Sequence, residues 1–246
     1  MSALLRLTAT ETKLFFREPI VVFFALAFAP ILLVVLGSIP AMRAPDAGLG
    51  GVRPIELYVP VVVAIGVSLF ALSGLAPLFA AYREKGVLRR MRTTPVEPAV
   101  LLGAQLLMAT ALSAGTVVVM LAVGRLAFGV DLPRQLPGYL AGYLLLASAL
   151  FAIGLLVAAL APSSRSAGAI GTLVFFPLAF FGGLWLPRAG MTEVLLTISD
   201  LTPLGAGVQA LQDATAGHAP QLPHLGVLLG WLVVAGGLAA RFFRWE

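Results

Sequence analysis

The sequence has no cysteine and no asparagine, only two lysines, and charged residues at just 11% of its 246 positions. Without cysteine there is no disulfide, no zinc–thiolate centre and no thiol nucleophile. A water-soluble domain usually carries about 25% charged residues, so this chain lacks the polar surface to stay monomeric in water. Neither Lys13 nor Lys85 follows a glycine, and no phosphate-binding loop of the G-x-x-x-x-G-K-[ST] type occurs. The chain is therefore not expected to hydrolyse nucleotide by itself. Nucleophile elbows, paired carboxylates and metal-ligand clusters are missing too. His218 and His224 lie in a proline-rich stretch and read better as polar residues at a membrane surface than as ligands, so no metal site is expected.

What is present is apolar: 60% of the residues are hydrophobic. Six runs meet the length of about 20 residues needed to cross a bilayer, at Ile20–Ile39, Leu57–Ala81, Ala99–Val123, Gly138–Ala161, Gly168–Leu186 and Pro223–Ala240. None contains Asp, Glu, Lys or Arg. Lipid leaves helices and closed barrels as the only spanning structures, and the runs lack barrel alternation. The expected fold is an all-α integral membrane protein of six transmembrane helices, one domain over 1–246. Pro30, Pro77 and Pro177 fall inside spans and predict kinks. Gly138–Gly142 and Gly226–Gly230 fit the small-xxx-small spacing of close helix pairs. Ionisable groups inside spans mark most ion- or proton-coupled carriers. Here the polar residues within spans are uncharged, among them Gln105 and Ser113, which suits an amphiphilic cargo.

The basic residues set the orientation. With the N-terminus inside, Arg6, Lys13, Arg17, Arg83, Lys85, Arg89, Arg90, Arg92, Arg165, Arg241 and Arg244 are cytoplasmic, and Arg43, Arg53, Arg125, Arg134 and Arg188 are outside. Both termini are then cytoplasmic. The nearly neutral spans and scattered charges exclude a nucleic-acid surface despite an isoelectric point near 10.2. Glu11, Glu18 and the length of the first run argue against a cleaved leader. Two lysines against fourteen arginines, with many alanines, glycines and prolines, suit a GC-rich bacterial genome.

Three segments outside the spans carry further information. In Ser2–Arg17 the residues Arg6, Thr10, Lys13 and Arg17 share one helical stripe, which predicts an amphipathic helix on the inner leaflet. Glu11 falls among its apolar residues, and a basic partner is expected for it. Residues 82–98, YREKGVLRRMRTTPVEP, hold five basic residues; Gly86 is placed to end the second span and Val87–Arg92 to form a short helix. Residues 187–222 contain two apolar pieces, Val194–Ile198 and Leu204–Leu211, each too short to span. Pro203 and Gly217 bracket the second, predicting short interfacial or re-entrant helices on the outer side.

These stretches resemble the membrane subunits of type-2 ABC exporters, the group that includes the daunorubicin-resistance type. RLTATETKLFFREP is similar to the family's interfacial helix, REKGVLRRMRTTPV to its loop between spans two and three, and FFGGLWLP with LTPLGAGVQALQDATAG to the region before its last span. Gln212-Asp213 stands where the family often has a basic residue. The resemblance implies two such chains per transporter, this one paired with a second copy or a homologous permease. It also implies a separate cytoplasmic ATPase subunit that binds ATP and Mg2+, so that no cofactor resides in this chain. Coupling to that ATPase is expected of Arg83, Glu84, Lys85, Gly86, Val87, Leu88, Arg89, Arg90, Met91 and Arg92. Pathway lining is expected of Phe176, Phe180, Phe181, Gln105 and Ser113. The implied role is outward movement of a drug, antibiotic, lipid or glycan-lipid across a bacterial cytoplasmic membrane. The alternatives are a secondary carrier or a non-transport membrane scaffold.

Overall fold

The computed structural model describes residues 3–87 and 98–242. Helix α1 (Ala3–Phe15) is followed by α2, which runs without a break through Pro19–Val22, a π-helical stretch Phe23–Ala27, and Phe28–Ser38. Helix α3 (Pro54–Glu84) contains a second π-helical stretch, Phe70–Leu75. Then come α4 (Pro98–Phe128), α5 (Leu136–Leu160), α6 (Ser164–Phe181), α7 (Glu193–Leu201), α8 (Pro203–Ala216) and α9 (Leu222–Phe242). Among the described residues there is no strand. Helices α3, α4, α5, α6 and α9 are each long and apolar enough to cross a membrane. With α2 they make six helical runs where six were expected. Helix α6 is shifted from its expected span Gly168–Leu186: it starts at Ser164 and stops at Phe181, and Gly183, at φ 87°, turns the chain away.

Pro30 and Pro77 explain where two helices widen, whereas α6 runs through Pro177 as an unbroken α-helix. A proline inside a helix loses its N–H bond and presses its ring on the carbonyl four residues back. For Pro30 that is Leu26, inside Phe23–Ala27; for Pro77 it is Ser73, inside Phe70–Leu75. In both places the ladder steps to a five-residue spacing, Phe28 N–H to Phe23 O and Ala76 N–H to Ala71 O, which absorbs the misfit as a π-bulge rather than a break.

Helix α3 is the axis of the bundle: 94% of its most apolar stretch is buried, against 17% for α9. Helix α5 packs along it and carries α8 and α9 on its other sides. Two glycines set the closeness of this packing. A Cβ on Gly154 would sit 2.5 Å from Ala71 O, and one on Gly171 would sit 2.2 Å from Leu72 O. Helices α5 and α6 thus lie directly against the backbone of the α3 π-bulge. Of the two expected small-xxx-small motifs, Gly142 faces Ala210 of α8, whereas a Cβ on Gly226 or Gly230 would point into open space. Lipid or another chain is left to cover that face of α9, along with Val118 and Leu126 of α4 and Leu173 of α6.

At one end of the bundle α7 and α8 meet at 94°, the bent pair expected before the last span. Thr202 makes the corner: its Oγ1 accepts from Gly205 N–H at 3.1 Å and donates to Ser199 O at 2.8 Å, while Pro203 starts α8 at a position where its missing N–H is harmless. Gly217, at φ 97°, ends α8 in the left-handed region. Helix α8 is buried along most of its length, and Gln212 donates to Leu57 O at 3.0 Å. At the same end Arg53 bonds Glu56 and the carbonyls of Phe128 and Gly129, stapling the start of α3 to the end of α4. The opposite end carries α1, the end of α3 and the α5–α6 turn.

Candidate functional site

The end of the bundle that holds the basic loop is built from the last turn of α3. Gly86, at φ 64°, terminates that helix as its composition suggested, with its N–H on Arg83 O at 3.0 Å. Just before it stand Tyr82, Arg83 and Glu84, consecutive residues that point at different neighbours because a helix turns about 100° per residue. Each makes a bond to another helix.

Arg83 reaches the end of α5. Its Nη1 donates to Ala159 O at 2.9 Å and its Nη2 to Ala161 O. These are among the last carbonyls of α5, which have no partner within their own helix and carry its negative end. Glu84 does the converse for α6: its Oε2 accepts the backbone N–H of Ser164 at 3.0 Å. Ser163 and Ser166 add a reciprocal capping box there, Ser166 N–H to Ser163 Oγ at 3.2 Å and Ser163 N–H to Ser166 Oγ at 2.9 Å. A basic–acidic pair on α3 thus grips a turn of three residues between two spans, the cation on one helix's C-terminus and the anion on the next helix's N-terminus. Glu84, expected at the coupling to the ATPase, thus caps α6 within its own chain.

Tyr82 faces the other way, toward α1 and α4. Its hydroxyl donates to Glu11 Oε2 at 2.6 Å, and Gln105 Nε2 donates to the same oxygen. Gln105 Nε2 also lies 3.2 Å from the Tyr82 hydroxyl. Glu11 is buried at 7% exposure. Among the described residues its partners are thus two neutral side chains and not the basic residue expected. The reason is packing. The stripe of Arg6, Thr10, Lys13 and Arg17 is exposed as expected, but α1 lays its opposite face, Glu11 and Phe15, on α4. That packing sets Tyr82 of α3 and Gln105 of α4 beside the carboxyl.

The remaining residues expected at the site divide. Lys85 is exposed at the end of α3. Val87, expected to face a partner protein, packs against Leu101 and Ala159 of its own chain. Leu88, Arg89, Arg90, Met91 and Arg92 lie outside the described residues. The residues expected along a pathway are not brought together. Gln105 is fully buried beside Glu11, and Ser113 is buried in mid-helix, accepting from Tyr143 OH at 2.7 Å. Phe176 is 54% exposed on α6 and stacks on Trp185 at 5.8 Å, while Phe180 and Phe181 are half-buried and pack on each other.

What the sequence did not reveal is the clamp itself. Arg83 and Glu84 read as loop charges, and Ala159, Ala161 and Ser164 carry no signal for a partner 76 to 80 residues away. A hint lay in Ser163 and Ser166, a helix start that still leaves the N–H groups of Ser164 and Arg165 for outside acceptors.

No curated protein matches the chain. The profile of the ABC-2 type transporter family matches residues 2–215, from α1 into α8, and a chain with that match and this multi-pass helical fold belongs to the ABC-2 type transporter family and is a membrane permease subunit of an ABC transporter.

Proposed function

We propose that the chain is half of the membrane domain of an ATP-driven exporter, with its basic end in the cytoplasm of a bacterial cell and both termini on that side. A separate cytoplasmic ATPase, holding ATP and Mg2+, docks on residues 82–98. A second copy or a homologous permease completes the pathway, along which an amphiphilic cargo moves outward between the two chains. The observation that carries this reading is the clamp at the basic end. Because Arg83 and Glu84 tie the end of α3 to the turn between α5 and α6, a force on the loop is delivered to three spans together. Nucleotide-driven closure of the ATPase pair then shifts the balance between inward- and outward-facing states through that loop.

The partner's grip falls to the loop beyond Val87, since Arg83, Glu84 and Val87 are engaged within the chain. Leu88 and Met91 supply an apolar seat and Arg89, Arg90 and Arg92 its charged rim. Rim pairs are worth only about 0–1 kcal/mol each, so the apolar seat dominates. Replacing Leu88 with Asp is expected to abolish co-purification of the ATPase and efflux of cargo while leaving membrane insertion intact, because no span is altered. Normal co-purification together with normal efflux would leave the loop as a topology signal only. Phe176, Phe180 and Phe181 remain the proposed cargo contacts. Alanine at Phe180 and Phe181 together is expected to change the range of compounds exported.

A further inference from the structure

Beneath α1 lies a cavity of about 470 Å3, bounded by α1, the start of α2, the π-bulge and last turns of α3, and α4. Its lining residues all come from this chain, and its size falls in the range of small-molecule sites, about 300–1,000 Å3. We propose that it binds the headgroup and upper acyl chain of a zwitterionic membrane lipid with a primary ammonium, of the phosphatidylethanolamine type, one per chain.

Three observations identify that ligand. The body of the cavity is apolar, with Phe15, Val21, Leu78 and Met108 in its wall, which suits hydrocarbon and not a soluble metabolite. Its polar groups carry both signs: Arg17 and Lys85 are cations, Glu11 and Glu18 acids. A headgroup with one phosphate and one ammonium matches that set, whereas an anionic lipid leaves the two carboxyl groups unanswered. Gln105, fully buried in the cavity wall, then favours hydrogen-bond donors on the cation. Its NH2 is committed to Glu11, which fixes the orientation of the amide, and its Oε1 is buried without a hydrogen-bond partner. A buried acceptor left so is costly until a donor reaches it. Both donors to Glu11 among the described residues bond Oε2, so its other oxygen can take a further one. A primary ammonium has three N–H donors to divide between such acceptors; a quaternary ammonium has none. The bound lipid would wedge α1 against Tyr82, one residue from the Arg83 clamp, which places membrane composition next to the coupling loop.

The test reads binding and does not depend on transport. The full-length chain in mild detergent is offered equal amounts of dioleoyl phosphatidylethanolamine, phosphatidylcholine and phosphatidylglycerol, and retained lipid is counted by native mass spectrometry. Phosphatidylethanolamine should be retained about tenfold better than either other lipid, a difference of about 1.4 kcal/mol. Glu11→Gln should erase the preference, and Leu78→Trp, which fills the cavity and spares every polar contact, should remove the bound lipid. Equal retention of the three lipids overturns the proposal. So does a preference that survives Leu78→Trp, and that variant decides the matter even where Glu11→Gln fails to fold.

Discussion

Arg83→Ala is the most informative perturbation of the clamp. The guanidinium makes two charge-assisted bonds, to Ala159 O and Ala161 O, and such bonds to charged groups contribute roughly 1.5–3 kcal/mol each. The full sum does not apply. Arg83, Ala159 and Ala161 border an open cavity of about 520 Å3, so water can enter and bond the abandoned carbonyls. Allowing for that replacement, and adding roughly 0.3–1 kcal/mol for a cation lost from a helix C-terminus, the turn should lose about 2 kcal/mol of local stability. That corresponds to about 30-fold faster local opening, at tenfold per 1.4 kcal/mol. The assay is hydrogen exchange by mass spectrometry on the chain in lipid nanodiscs, following peptides that cover residues 157–168. Exchange there should rise in Arg83→Ala while peptides from α8 stay unchanged. Arg83→Lys, which keeps the charge but not the fork, should recover part of the protection. Exchange of the turn unchanged within about twofold would refute the clamp and the coupling argument resting on it.

Gly171→Ala places a methyl 2.2 Å from Leu72 O; the bulged backbone cannot yield as a side chain would, so the change should destabilise by about 1–3 kcal/mol and lower the detergent unfolding temperature, despite alanine's better helix propensity. The cysteine-free background permits topology labelling: cysteines at Thr93 and Ser164 should be shielded from impermeant thiol reagents in intact cells, and one at Ala47 should react, so strong outside labelling of Thr93→Cys would reverse the orientation. The purified chain without an ATPase partner should show only background ATP hydrolysis, and turnover that survives rigorous purification would contradict the missing phosphate loop. Tyr82→Phe removes the hydroxyl donor to Glu11 and should weaken α1 docking by about 1–2 kcal/mol, measured as increased protease access to residues 3–18.

The expected spans, the amphipathic stripe of α1 and the bent pair α7–α8 follow from local causes. Span length follows from bilayer thickness and apolar run length, and Gly86, Pro203 and Gly217 act on their own backbone. None of these needs knowledge of distant residues, so the sequence by itself determined them. Tertiary packing alone decided the rest. Whether Pro30 and Pro77 would kink or widen their helices depended on neighbours able to cover the freed backbone, as Gly154 and Gly171 do for the bulge in α3. Glu11 was expected beside a cation, but packing of α1 on α4 put Tyr82 and Gln105 within reach instead. Arg83 and Glu84 are loop charges by sequence and helix caps by structure, because the groups they satisfy are backbone carbonyls and an amide. Every residue carries those groups, so only the fold decides which are left for a side chain to reach.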